Sequence, residues 1–366
     1  MEGSPSPGSV RLRKVAYWLI IIAGILVFLI YFQKFLKPFV LALVFWYFIK
    51  ELRELFGRIR IRKKRMPRWL RGFIAIVIML VLIGSIGELL TSNISQIVKR
   101  LPRNSEIQQG YIDKLGESLG MEDLASKLKE QLKDIEVTGF LRNILNSLTT
   151  TVGDVVLIII YIVFLLIEEI IFIKKIRIIS ASNKQLHNIQ SLLDQINQSI
   201  NMYVMMKTLV SLSTGIMSYF ILLILGVDFP VFWAFLIFIL NYIPYIGSLI
   251  ATLLPAVFAM FQFDNGWYFF YVFLPIQAVQ TFNANYLEPK VMGRSLNLSP
   301  LVVVLSLTIW SSIWGILGML LSVPIMSVLN IMLAQFPQSR NISIFLSETG
   351  NIESLLAKFA KKDEKS

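Results

Sequence analysis

The apolar runs of this 366-residue chain approach or exceed the length that crosses a bilayer, and that limits what it can fold into. A hydrocarbon core about 30 Å thick takes roughly 20 apolar residues in a helix. Within it no water reaches the backbone, so a spanning segment is a helix or part of a closed β-barrel. A barrel requires alternating segments of ~10 residues, whereas the runs here are continuous. Composition agrees: 55% of residues are hydrophobic and 16% charged, against roughly 25% charged in a soluble domain. The chain reads as an all-α polytopic integral membrane protein with about 6–8 membrane segments. Broken or re-entrant helical hairpins are expected among them, plus a small extracytoplasmic amphipathic helical segment.

Residues 1–14 are polar and end in Arg11, Arg13 and Lys14; they read as a disordered cytoplasmic N-terminus. The run 15–32 is followed by Gln33 and Lys34, not by the small residues of a cleavage site. It is therefore expected to be a retained first span. Pro38 is expected to break the chain before a short apolar stretch at 39–49, and 72–90 is a third span, so that 15–91 holds three. Residues 92–150 carry eight basic and eight acidic residues, with Leu124, Leu128 and Leu132 at helical spacing. That pattern predicts water-facing amphipathic helices. A fourth span covers 151–173, a polar helical segment 174–207, and a fifth span begins the transport core at 208–336. Residues 337–366 form a cytoplasmic tail.

Charge orients this arrangement. The net charge is +12, but ten basic residues fall within 50–71, opposed only by Glu51 and Glu54. A juxtamembrane cluster of this kind sets topology and contacts anionic lipid. No recognition module accompanies it, so no nucleic-acid partner is expected. Alternation of the spans puts residues 1–14, 50–71 and 174–207 together on the cytoplasmic side and 92–150 outside. The C-terminal third admits two readings. Either 229–263 and 300–336 are simple spans, or they are helical hairpins entering from opposite faces. Both leave the C-terminus, with Lys361 and Lys362, in the cytoplasm.

Catalytic signatures are missing from the sequence. There is no Gly-rich phosphate loop ending in Lys-Ser/Thr and, with a single histidine, His187, no HExxH pair. Without cysteine there is no disulfide, iron–sulfur or thiolate zinc site. No enzyme activity, cofactor or metal is expected. Two stretches carry polar groups instead. In Asn241-Tyr-Ile-Pro-Tyr-Ile-Gly247, Pro244 removes a backbone donor and breaks the helix, and Asn241 offers donor and acceptor beside the break. Broken helices are tolerated at membrane depth where they are buried or line a cavity, and in transporters their ends bind ions and substrates. Residues 283–294 gather Asn283, Asn285, Glu288, Lys290 and Arg294. Pro289 biases Glu288 away from helical backbone. Glu168 and Glu169 end the fourth span and read as interfacial, with Glu168 a candidate to face a pathway. Gly315 and Gly318, with Ser311, Ser312 and Ser322, permit close helix approach.

These stretches resemble the AI-2E family of bacterial transporters, named for members that export the quorum signal autoinducer-2. The resemblance rests on NYIPYIG at 241–247, NYLEPKVMGRSLNLSPLVVVLSL at 285–307 and WGILGMLLSVPIMSVL at 314–329, and extends over about residues 15–335. It implies an inner-membrane permease; some members are associated with small-molecule export, others with sodium/proton exchange. It implicates Pro244, Gly247, Pro289, Lys290, Gly293, Pro300, Gly315, Gly318 and Pro324. Many relatives carry glutamate where this chain has Asn283, and proline where it has Ser248.

The combined expectation is a secondary transporter exporting a small molecule such as a quorum-sensing signal. Its pathway candidates are Asn241, Pro244, Gly247, Asn283, Asn285, Glu288, Lys290 and Arg294. Its helix-break and gating candidates are Pro289, Gly293, Pro300, Gly315, Gly318 and Pro324. A sodium (lithium)/proton antiporter and a non-transporting oligomeric scaffold stay open as alternatives. The expected partners are the lipid bilayer, a small-molecule or cation substrate, and further copies of the chain in a homo-oligomer. The expected location is the bacterial cytoplasmic (inner) membrane, multi-pass, with both termini cytoplasmic.

Overall fold

Long apolar runs in a chain without cysteine leave helix packing as the means of building a core, and the computed structural model is built that way. It describes residues 7–58, 60–61, 64–65, 67–100, 155–179, 183–288, 290, 297–353 and 355. The helices are α1 Pro7–Tyr31, α2 Gln33–Arg58, α3 Arg68–Arg100, α4 Val155–Ile179, α5 Asn183–Ile224, α6 Pro230–Leu240, α7 Ile246–Gln262, α8 Trp267–Phe282, α9 Pro300–Trp314, α10 Ile316–Gln335 and α11 Arg340–Leu346. A π-helical turn, Asn283–Leu287, extends α8. Two short strands, Arg60–Ile61 and Lys64–Arg65, pair antiparallel in the basic loop between α2 and α3.

Among the described residues, Trp69–Ile97, Ile189–Ile224 and Ile316–Gln335 are each long and apolar enough to cross a membrane. The bent pair Ala23–Tyr31 and Gln33–Gly57 passes the same test together. The surface is that of a membrane protein. Large apolar side chains such as Ile20, Ile25, Phe28, Val81, Phe164, Ile167, Phe220 and Leu223 are exposed, while Ser211, Thr214, Ser218, Thr252, Ser322 and Asn330 are buried. Lipid tails are as apolar as leucine, so nothing drives apolar groups inward, and polar groups turn from lipid toward one another.

The first break lies elsewhere than expected. The chain bends by 86° at Phe32, and α2 runs straight through Pro38. Pro38 stands in the second turn of α2, where its ring opposes the carbonyl of Lys34 in the first turn and only one intrahelical bond is lost. Residues 92–100 continue α3 and bury Ile94 and Ile97; residues 101–150 lie outside the described residues. The polar stretch from 183 and the apolar stretch to 224 form one unbroken helix of 42 residues, roughly 63 Å long at 1.5 Å per residue.

Two cores result. Ala42, Ile49, Ala75, Met79, Ile83, Ile158 and Ile162 join α2, α3 and α4. A larger one joins the C-terminal half of α3 to α5–α9 through Leu90, Ile97, Leu222, Trp233, Ile237, Leu254, Phe258 and Ile276. Within it two helical hairpins fold back on themselves. Trp233 of α6 meets Phe258 of α7 with ring centroids 5.3 Å apart. Ser306 of α9 donates to the Ser322 carbonyl of α10 over 3.2 Å. The open end of the first hairpin lies at the C-terminus of α5, where Gln262 donates to the Gly226 carbonyl at 2.9 Å. The open end of the second lies near the N-terminal part of α5, where Ile331 and Ala334 pack with Leu192 and Ile196. The hairpins therefore open toward opposite ends of α5.

Candidate functional site

The site is built on one face of α5. Tyr203, Lys207, Ser211, Thr214 and Ser218 recur at steps of four, four, three and four, which puts them on a single stripe, and all five are buried. The turn between α6 and α7 and the end of α8 pack against this stripe. Sequence reasoning passes over it, because 174–207 reads as a polar segment ending at Lys207. The stripe's own period is the signal that would have found it.

The break between α6 and α7 has a specific backbone. The N–H of Ile246 donates to the Pro244 carbonyl at 2.7 Å, with Tyr245 between them at φ 61°, ψ −62°. This is the rare, strained form of the γ-turn, with a non-glycine residue at positive φ. A Cβ on Gly247 would sit 1.9 Å from the Leu240 carbonyl oxygen, so only glycine lets α7 start so close to the end of α6. The second hairpin uses the same device. Gly315 turns the chain at φ 66°, ψ −139°, and a Cβ on Gly318 would lie 1.9 Å from the Trp310 oxygen. Pro300 stands at the start of α9, where its missing N–H costs no helical bond. Pro324 lies inside α10.

At the first break Asn241 reaches α5. Its Nδ2 donates to Ser211 Oγ at 3.2 Å and to Thr214 Oγ1 at 3.5 Å. Asn283 Nδ2 donates to the same Thr214 oxygen at 2.8 Å. Thr214 spends its own proton on the Val210 carbonyl at 2.9 Å, so its oxygen is free to accept both amides. Next to this group Tyr242 Oη lies 2.6 Å from Thr208 Oγ1. Thr208 donates to Val204, which makes the tyrosine the donor.

Further along the stripe lies an ion pair. Lys207 Nζ is 2.7 Å from Glu288 Oε1, with the side chains 5% and 29% exposed. The π turn makes this pairing possible. In an α-helix, residue 288 would lie roughly 140° around from 283 at 100° per residue. The i→i+5 bond from the Glu288 N–H to the Asn283 carbonyl brings both residues to the same side. Asn283 and Glu288 then meet Thr214 and Lys207, two turns apart on α5. π turns of this type recur at functional sites.

The stripe is not self-satisfied. Ser218 Oγ, Gln280 Nε2, Asn283 Oδ1 and Tyr203 Oη are buried without a protein partner, on residues at most 3% exposed. A buried polar group without a partner costs roughly 1–3 kcal/mol, and such groups in native structures are met by water or ligand. The arrangement offers a row of neutral donors and acceptors with one ion pair beside it. Among the described residues, no group of three or more His, Cys, Asp or Glu converges to hold a metal ion.

Of the expected pathway residues, the structure brings Asn241, Asn283 and Glu288 to the stripe, with Pro244 and Gly247 shaping the turn. Asn285 and Lys290 are exposed. Pro300, Gly315, Gly318 and Pro324 belong to the second hairpin. Pro289, Gly293 and Arg294 lie outside the described residues. Glu168 pairs with exposed Lys175, whereas Glu169 turns inward to Arg53 and accepts from Trp46 Nε1 at 3.1 Å.

A family model for the AI-2E family transporter matches residues 19–338. The chain is 29% identical over 338 residues to the AI-2 transport protein TqsA of Escherichia coli strain K12, covering 90% of this chain and 95% of TqsA. It is 30% identical over 276 residues to YhhT of the same strain, covering 75% of this chain and 78% of YhhT. It is 27% identical over 366 residues to a Borreliella burgdorferi protein, covering 97% and 96%.

Proposed function

The chain belongs to the AI-2E transporter family, and from that premise we propose that this membrane transporter is a secondary exporter of a small polar molecule moving along the α5 stripe. The observation that carries the reading is the group of unpartnered polar atoms at Ser218, Gln280 and Asn283, buried on α5 and α8 beside the turn of the first hairpin. Such atoms are met by water or by a ligand, and neutral donors and acceptors suit a small polar solute; the relative TqsA is named an AI-2 transport protein. Helix α6, about 16 Å long at 1.5 Å per residue, is too short to cross a bilayer. It is one arm of a re-entrant hairpin, whose tip at 241–245 gives the pathway an end that can move.

The reading places the protein in the bacterial inner membrane with both termini in the cytoplasm. The basic loop at 50–71 supports that side by the positive-inside rule. The test is efflux of autoinducer-2 from proteoliposomes. The wild-type chain releases it faster than empty vesicles, and Asn283→Leu, which removes the bond to Thr214, slows release by roughly tenfold or more. Equal release from wild type, variant and empty vesicles contradicts the reading.

A further inference from the structure

An exporter without a phosphate loop needs an ion gradient to move solute uphill, and one ion pair stands at the stripe. We propose that Glu288 carries the coupling proton and that Lys207 is the residue that sets when it does so; this rests on the exporter reading above.

Lys207 is 5% exposed and Glu288 29%, so the lysine is committed to the interior while the carboxylate reaches the surface of the helix bundle. By contrast, the Arg53–Glu169 pair is 32% and 24% exposed and belongs to the other core. The Arg100–Asp228 pair is 53% and 43% exposed. Glu288 is attached to the turn that also positions Asn283, so movement of the pair is felt in the polar lining. The groups facing Glu288 are Lys207 and Tyr203 from α5 and, near Tyr203, Tyr242 from the α6–α7 turn. Lys290, on its own segment, is exposed.

Separating a buried pair leaves a charge without a partner, which is strongly unfavourable. A proton relieves this. It adds to a Glu288 carboxylate oxygen, the Nζ–Oε1 pair opens, and the π turn is released from α5. That removes the carboxylate's share of the cost only: the Lys207 ammonium keeps its charge and takes as hydrogen-bond acceptor the Tyr203 hydroxyl, which lies one helical turn back, on the side toward which a helical side chain extends, and has no partner while the pair is closed. Loss of the proton to the other face of the membrane restores the pair. Only an O–H bond is made and broken, and one proton crosses for each opening and closing.

The test uses the full chain in proteoliposomes with autoinducer-2 as probe. At one proton per solute, a one-unit pH gradient concentrates the solute roughly tenfold on the acidic side. In Glu288→Gln that accumulation is lost, and exchange between equal solutions no longer depends on pH. Independently of any solute, the infrared spectrum of the wild type shows a protonated-carboxyl band that titrates and that Glu288→Gln lacks. Should the single variant not fold, Lys207→Gln with Glu288→Gln removes both charges together. Gradient-driven accumulation in the variant, or identical carboxyl bands in both proteins, overturns the proposal. Wild-type exchange without pH-driven accumulation overturns the coupling and leaves the exporter reading standing. Absence of any exchange overturns the exporter reading and, with it, the coupling that rests on it.

Discussion

The core of α2, α3 and α4 and the stripe on α5 are equally shielded from the surroundings, yet they are filled with opposite chemistry. Ala42 and Ala75 are fully buried, and so are Ser211, Thr214 and Ser218. The first region packs mainly through aliphatic and aromatic side chains, with Glu169 held by Arg53 and Trp46 at its edge, and its helices α2, α3 and α4 carry no break. The second is interrupted at 241–245 and at Gly315 and is lined by hydroxyls and amides, some unpartnered. In a lipid-facing protein, burial by itself says little about function, because the lipid side is as apolar as the core. What sets the stripe apart is a continuous row of buried hydroxyls and amides, several without a protein partner, which water or a ligand can meet.

The largest effect that would sharpen this contrast is expected at the glycines of the broken half. Gly318→Val drives a side chain into the Trp310 carbonyl and is expected to cost about 4 kcal/mol or to prevent folding, by the usual scale for severe overpacking. The midpoint of thermal unfolding in detergent reads it. Lys207→Met leaves Glu288 without its partner and is expected to cost about 2 kcal/mol, less than the 3–5 typical of a fully buried pair because Glu288 is 29% exposed. Asn241→Leu removes the contacts to Ser211 and Thr214; a loss of about 1 kcal/mol with a fall in autoinducer-2 efflux well beyond that loss is expected. In the unbroken half, Ile83→Val is expected to cost about 1 kcal/mol and to leave efflux as it was. Arg100→Ala, at an exposed pair, is expected to cost less than about 1 kcal/mol. An efflux defect in Ile83→Val as large as that of Asn241→Leu would break the comparison.

The helices were legible from apolar runs, and the breaks at Pro244 and Gly315 from residue type, since proline and glycine act on their own backbone. Other features depend on partners far along the chain. The bend at Phe32 has no proline or glycine to announce it. Lys207 closes a polar segment when read linearly and becomes part of a stripe only once α5 is continuous from 183 to 224. Asn283 reads as a carboxylate lost relative to many relatives. In the structure its amide donates to a Thr214 oxygen whose proton is already engaged with Val210. A carboxylate there could accept only if Thr214 gave up that bond, so the asparagine has a role of its own.

The most direct measurement exploits the absence of cysteine from the chain. Ser211→Cys, Thr214→Cys and Ser218→Cys are introduced singly, with Ala42→Cys and Ala75→Cys as equally buried controls. Each protein is reconstituted and treated with a small, charged, water-soluble thiol reagent. If the stripe is a solute pathway, its three cysteines react, autoinducer-2 slows the reaction, and the two controls stay unmodified. If the stripe cysteines are as inert as those at 42 and 75, it is a packing seam and not a pathway, and the account is wrong at its centre.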